Sequence, residues 1–239
     1  MIHYIQFDLF FDTARLKKEL LALPSLDWPL HYQKKDFEGE WTAISLRSTD
    51  GRAENVFISP LEDPAYTDTS LLENALYFRE VLETFKCPLQ AVRLLKLAAG
   101  SVIKEHKDAD LSFEKGAFRI HIPIQTNDAV EFKVGGEEIR MKEGQCWYCN
   151  FNLPHSIANR GDTDRVHLVI DGLVNDWVQH FFRDNQRILI RKETADEEQL
   201  PDENTLREMI HHLRSMNTPA GDSLANEMEA KLRAAYKQE

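Results

Sequence analysis

Between residues 90 and 171, Gly, Asn, Asp and Pro cut the chain into apolar runs too short for helices: 91–98, 101–105, 117–124, 130–134, 137–141, 145–150 and 165–171. Short runs rich in β-branched and aromatic residues, bounded by turn formers, read as strands. Many short strands of similar spacing therefore predict a sandwich or jelly roll, mainly β with flanking helices.

The flanks read differently. Residues 2 to 10 form a strand, and Asp12 caps an amphipathic helix with Leu16, Leu20 and Leu23 on one face. The alternating segment from Glu40 to Leu46, with Trp41, Ala43 and Ser45 on one side, ends in Thr49-Asp50-Gly51 and predicts an antiparallel pair with Val56-Phe57-Ile58. Ser70 followed by Glu73 reads as a capping box opening a helix through Phe85. After Asp176 the chain turns helical through Trp177 to Arg187. A charged stretch at 191–204 then leads into two further helices, about 203–216 and 222–237. With 239 residues and no internal repeat, the expectation is a domain over residues 1–175 followed by a helical extension over 176–239, through which copies of the chain could associate.

Lysine and arginine total 29 against 40 acidic residues, a net charge of −11 that opposes a phosphate backbone and argues against nucleic acid as a partner. The opening MIHYIQFDLFFDTARLKKEL has neither a basic n-region nor a long apolar stretch, and no later run approaches a membrane span. Cys87, Cys146 and Cys149 are too few for a disulfide framework and suit a reducing compartment. A soluble cytoplasmic protein is expected. Within the strand at 145–150, Cys146 and Cys149 face opposite sides, so Cys146-Trp-Tyr-Cys149 reads as core packing and not as a redox pair.

Chemistry concentrates in the strand region. His106 and Asp108 end an apolar strand, and a side-chain period of two points both to one face. His155 lies 49 residues later, after the strand Cys146 to Phe151 and in the turn Asn152-Leu153-Pro154. Two imidazoles and a carboxylate form the facial triad of non-haem iron(II) oxygenases, which leaves three octahedral positions open. Ten residues beyond His155, Arg165 opens the strand Arg165-Val-His-Leu-Val-Ile-Asp171. An inward guanidinium needs an acidic partner, either a buried Asp or Glu or a dicarboxylate ligand such as 2-oxoglutarate. Arg119 and His121 share one face of their strand, and Arg93 lies on the face of Leu95 and Leu97. Together Arg93, Arg119 and Arg165 suggest an electropositive lining for small anions, although each taken singly also fits an outward surface position. His167, His180, His211 and His212 read as packing or surface groups.

These motifs resemble the aspartyl/asparaginyl β-hydroxylase family of iron(II)/2-oxoglutarate oxygenases, nearest to its bacterial branch acting on free L-proline at the cis-4 position. The matching stretches are Gly39-Glu-Trp41, the strand of Arg93, His106-Lys-Asp108, Phe118-Arg119-Ile-His121, Leu153-Pro154-His155-Ser156 and Arg165 to Asp171, spanning about residues 30 to 175. The resemblance implies a double-stranded β-helix, the cupin-like jelly roll, with Fe(II) ligated by His106, Asp108 and His155 and O2 as oxidant. It also implies that Arg165 anchors the distal carboxylate of 2-oxoglutarate and that His121 helps hold this co-substrate. Arg93 and Arg119 correspond to substrate-carboxylate positions, and Trp41 and Tyr32 resemble the aromatic wall of a proline site. Members acting on protein domains lack the acidic ligand, so Asp108 points to a small-molecule substrate, an amino acid of the proline type. Those members also carry a serine where Leu95 stands, so a second contact to the distal carboxylate does not carry over. The alternatives are hydroxylation of Asp or Asn side chains in a protein, or a cupin-like metal-binding protein without oxygenase activity.

Overall fold

The computed structural model describes residues 1–23, 28–32, 34–59, 65–108, 111–191, 203–215 and 218–235. Its strands are β1 (Ile2–Phe10), β2 (Phe37–Glu38), β3 (Trp41–Ser48), β4 (Thr67–Asp68), β5 (Leu89–Leu97), β6 (Val102–His106), β7 (Ala117–Gln125), β8 (Val130–Val134), β9 (Glu137–Ile139), β10 (Gln145–Cys149), β11 (His155–Asn159), β12 (Arg165–Leu173) and β13 (Gln186–Arg191). The helices are α1 (Thr13–Ala22), α2 (Ser70–Asn74), α3 (Leu76–Glu83), α4 (Asp176–Asp184), α5 (Glu203–Ser215) and α6 (Pro219–Ala235).

The strands make two antiparallel sheets, in the orders β13-β1-β10-β7-β12-β5-β3-β4 and β2-β6-β11-β8-β9. Strands β5 to β12 pair in a nest: β5 with β12, β6 with β11, β7 with β10 and β8 with β9. The contacts β7·β12 and β8·β11 then lock the two halves of this folded hairpin together. That connectivity is a double-stranded β-helix, as expected.

Period two divides each strand of the large sheet between two environments. Outward side chains, among them Leu94, Ile120, Ile122, Tyr148, Leu168 and Ile170, join a cluster with Leu16, Phe78, Leu82, Val178 and Phe182 of α1, α3 and α4. Inward side chains, Ala43, Leu95, Leu97, Trp147 and Val169, meet Ile103, Phe132, Val134 and Ile157 of the small sheet. Both faces of the large sheet are thus buried. Cys146 belongs to the outer cluster and Cys149 to the inner one, on opposite faces as the alternation predicts.

Several local expectations are corrected. Residues 56–58 form no strand: Ser45 N donates to Ala53 O and Ser45 Oγ to Asn55 O, while β3 takes β4 and β5 as its partners. The helix at residue 70 is capped at Thr69 without a side-chain cap bond, because the Thr69 hydroxyl is engaged with the carbonyls of Ser45 and Leu46. The helix then breaks at Ala75. His155 does not sit in a turn but opens β11, a short strand with polar residues at both ends that pairs on both sides. The helix after Asp176 ends at Asp184, and residues 186–191 form β13 on the edge of β1.

The last of these moves a boundary. The first compact unit runs to Lys192, beyond the expected boundary at residue 175, because α4 packs in the outer cluster and β13 extends the large sheet. The second unit, Glu193–Glu239, holds α5 and α6 around Leu206, Ile210, Ala225 and Leu232. The charged stretch expected at 191–204 lies almost wholly outside the described residues. Among the described residues no helix is long and apolar enough to cross a membrane.

Leu168 is fully buried in the outer cluster. Leu168→Ala is expected to destabilise the protein by about 2 to 5 kcal/mol, read as a lower urea midpoint; an unchanged midpoint would contradict the two-faced burial of β12.

Candidate active site

Strand register brings the chemistry together. His106, the last residue of β6, lies opposite His155, the first residue of β11. Asp108 is held two residues past the strand by donating its backbone N–H to Phe151 O at 2.9 Å. One donor atom from each of His106, Asp108 and His155 lies within 4.8 Å of the others, and His106 Nε2 is 3.7 Å from Asp108 Oδ1. The two imidazole rings are 4.2 Å apart.

The tautomers follow from the partners. A carbonyl oxygen only accepts, so His106 Nδ1–H donates to Lys104 O at 2.8 Å and His155 Nδ1–H to Leu153 O at 3.0 Å. In the neutral form of each ring Nε2 then carries the free lone pair, the orientation that a hydrogen bond to the other ring nitrogen imposes on a metal-ligating histidine. Burial lowers His155 to about 4 and keeps it neutral. Burial pushes Asp108 upward, but Arg119, His155 and His106 outweigh it and hold the carboxyl below its ordinary value. Two unprotonated imidazole nitrogens and an ionised carboxylate fit a divalent metal of the iron type, with no thiolate in the set.

A second polar group lies on the inner face of β12 and β7. Arg165 donates from Nη2 to His167 Nδ1 at 2.9 Å, which places the His167 proton on Nε2. His121 Nδ1 lies 3.3 Å from the same nitrogen. If it donates there, its own Nε2 is a bare acceptor; contact with a carboxylate requires the proton on Nε2 instead. Both histidines are held neutral, His121 and His167 alike lowered by burial first and then by Arg165. Arg165 is almost fully buried and lowered to about 9 by burial, and among the described residues no carboxylate pairs with it. Arg165 Nε and His121 Nε2 are buried without hydrogen-bond partners. Arg165 and His167 line a cavity of about 970 Å³ together with Phe132, Ile139 and Met141. Phe151 links this group to the first cluster, its ring 5.0 Å from His121 and 4.7 Å from His155.

Arg93 and Arg119 are placed differently from the expectation of a free anion-binding lining. Arg119 forks onto Asp171, from Nε to Oδ1 at 2.6 Å and from Nη2 to Oδ2 at 3.0 Å, and its Nη1 donates to Asp108 Oδ2 at 2.7 Å. Burial opposes its charge, but Asp171 and Asp108 raise its pKa. Arg93 donates from Nη2 to Asp171 Oδ2 at 3.1 Å and keeps a buried Nε unpartnered. Asp171 was overlooked as a site residue although the same alternation that turns Arg165 inward also turns residue 171 inward. His167, expected to be packing, touches Arg165 by the same rule.

The aromatic residues gather around a histidine that sequence reasoning missed. His31, its N–H donating to Trp41 O at 2.8 Å, stacks on Trp41 at 3.5 Å and on Tyr32 at 4.4 Å. Trp41 is buried, whereas Tyr32 is 42% exposed and meets Phe57 edge-on. Burial, then Arg93 and Arg119, lower His31 to about 3. No motif flags His31, because its loop has no periodicity.

A jelly roll whose smaller sheet carries a His-Asp-His cluster beside buried arginines defines the class. Residues 11–174, more than half of the chain, match the aspartyl/asparaginyl beta-hydroxylase family, and the chain belongs to that family. Among curated proteins it is similar to an L-proline cis-4-hydroxylase of Rhizobium meliloti (strain 1021), 28% identical over 189 residues, which cover 78% of this chain and 66% of the relative. The chain thus spans just under two thirds of that relative's length. Among solved structures it is similar to a viral collagen prolyl hydroxylase from Paramecium bursaria Chlorella virus-1 at 12% identity and a TM-score of 0.44, covering 72% of this chain and 97% of that one. It is also similar to an oxidoreductase of the 2OG-Fe(II) oxygenase family from Burkholderia pseudomallei, at 15% identity and a TM-score of 0.45, covering 66% and 77%. Both TM-scores are too low for either likeness to bear on the assignment.

His31 supplies a pH test. Its folded value lies below the unfolded 6.5, so its contribution is intact above pH 6.5 and is lost as pH falls toward 3. Relative to His31→Phe, the wild type is expected to lose about 2 kcal/mol of stability between pH 7 and pH 5. Urea midpoints that move in parallel for the two proteins would show that His31 is not buried as a neutral ring.

Proposed function

We propose that this protein is an Fe(II)- and 2-oxoglutarate-dependent dioxygenase that hydroxylates an unactivated carbon of a small carboxylate substrate, a free amino acid of the proline type. The observation that carries the reading is Arg165: a buried guanidinium with no carboxylate partner among the described residues, lining a cavity and connected through His167, His121 and the Phe151 ring to a His-Asp-His cluster. Arg93 and Arg119 each have Asp171, whereas Arg165 has no such partner.

His106, Asp108 and His155 would hold the metal, and Arg165 the distal carboxylate of 2-oxoglutarate. Iron(II) with 2-oxoglutarate and O2 supplies the oxidation of an unactivated C–H bond, with succinate and carbon dioxide as co-products. The protein's own task is placement: binding energy from carboxylate contacts decides which C–H bond faces the metal. Charge supports a monocarboxylate substrate. Among the described residues Arg93, Arg119 and Arg165 stand against Asp108 and Asp171, leaving one positive charge before the histidines are counted. A divalent metal and a dianionic co-substrate cancel each other, so one positive charge remains for a substrate carboxylate. Arg93, with its unpartnered Nε, is the group best placed to meet it; the Arg119 fork is already taken. Trp41 and Tyr32, with His31 between them, would form the wall for the substrate's apolar side. The amino-acid class is supported by the name of the relative from Rhizobium meliloti.

Anaerobic loading with iron(II) and 2-oxoglutarate, then exposure to oxygen with single amino acids, is expected to yield succinate and a product heavier by one oxygen atom. Hydroxylation of a peptide and of no free amino acid would move the reading to protein side chains; metal binding without succinate would leave a cupin-like binding protein. His106→Ala and His155→Ala are each expected to abolish succinate formation, and wild-type turnover in either would remove that residue from the ligand set. Arg165→Ala is expected to weaken 2-oxoglutarate binding by about 2 to 5 kcal/mol, the loss typical of a buried charge-assisted pair. An unchanged affinity would assign the anchor elsewhere.

A further inference from the structure

The two oxygens of Asp108 are not equivalent. Oδ1 is the atom 3.7 Å from the bare Nε2 of His106, whereas Oδ2 accepts from Arg119 Nη1 at 2.7 Å. Arg119 has little freedom to leave, since its other two engaged donors are held by Asp171 at 2.6 and 3.0 Å. Asp171 is fixed in turn by Arg93 at 3.1 Å and by strand register, in which residue 171 of β12 lies directly opposite residue 119 of β7. All three of these side chains are more than nine-tenths buried.

We infer that Asp171 is a positioning residue: it locks Arg119 against Oδ2 of Asp108, so that Asp108 offers one oxygen, and not two, to a divalent cation. The inference rests on the metal-centre reading above. Its consequence is a matter of coordination number. Two imidazoles and one carboxylate oxygen occupy three octahedral positions and leave three, whereas a chelating carboxylate would leave two. A co-substrate that binds through two atoms and an oxygen molecule need three. Asp171 thus acts through Arg119 to keep one position open, a role quite apart from neutralising charge.

The test uses metal-free protein titrated with Co(II), reading the dissociation constant and the visible spectrum, whose intensity follows coordination number, with no substrate present. In Asp171→Asn the freed Arg119 fork competes for both oxygens of Asp108, and Co(II) is expected to bind about 10- to 100-fold more weakly, the range for loss of an outer-shell partner. In Arg119→Gln the Asp171–Arg93 pair stays intact and Oδ2 is released. Co(II) is then expected to bind at least as tightly as in wild type, with a spectrum altered toward higher coordination. Opposite shifts in affinity are what a purely structural role would not produce. Affinities that move the same way in both variants, or a wild-type spectrum in Arg119→Gln, overturn the inference. Should Asp171→Asn fail to fold, Arg119→Gln decides alone by the same two readings. If wild-type protein binds no Co(II), or binds it equally after His106→Ala, the metal centre itself falls and this role with it.

Discussion

Five ionised side chains share the interior of this barrel, and the cost of desolvating them organises the site. A buried charge without a partner costs several kcal/mol, so the interior admits guanidiniums only where something opposes them. Asp171 carries most of that burden: a single carboxylate, 2% exposed, receives both Arg93 and Arg119. The chain of charge continues to Asp108 and stops there. Remove Asp171, and the two cations on β5 and β7, the strands that flank β12, keep only Asp108, which accepts from Arg119, to oppose them.

The fold makes this arrangement possible through two regularities. Nested antiparallel pairing sets β12 between β5 and β7, so residues on three strands that are distant in sequence come side by side in register. Arg93 and His121 both lie opposite Val169, and Arg119 lies opposite Asp171. Period two then assigns Arg165, His167, Val169 and Asp171 to the inner face, and Leu168 and Ile170 to the outer cluster under the helices. A one-residue slip of β12 would send the whole polar row into the apolar outer layer, which is why register is strongly specified here.

Much of this was legible in the sequence. Alternation, turn residues and the similar spacing of many short strands pointed to the jelly roll, and the spacing of His106, Asp108 and His155 pointed to their convergence. What stayed hidden has physical causes. β11 is five residues long with a histidine and an asparagine at its ends, so it has no apolar signature of its own, and its strand character comes from β6 and β8 on either side. β13 exists because β1 offers an edge. His31 belongs to an irregular segment whose place is set by stacking on Trp41, a long-range contact that local patterns do not encode. Asp171 was visible as an inward residue, but periodicity says which face a side chain takes and not which charge it meets. Hence Arg165, which needs an acidic partner, meets no carboxylate among the described residues, while Arg93 and Arg119, expected to line a site for small anions, are neutralised by Asp171.

That difference separates the polar interior into two halves with different purposes. Around Asp171 the charges oppose one another and, Arg93 Nε apart, the geometry is closed, as structural networks require. Around Arg165 it is open: one lone pair on His167 Nδ1 faces two neighbours, Arg165 and His121, and can serve only one of them well. Arg165 Nε and His121 Nε2 remain without partners. Each such group costs about 1 to 3 kcal/mol, a burden the fold carries because α1, α3 and α4 bury the outer face of the same sheet so completely. The cavity lies against the open half and not the closed one. A carboxylate there would take up the spare guanidinium donors and leave His167 free to accept from His121 alone. The strain in this half is therefore relieved by an anion, whereas around Asp171 the donors of Arg119 are already engaged and Arg93 Nε alone is left to meet one.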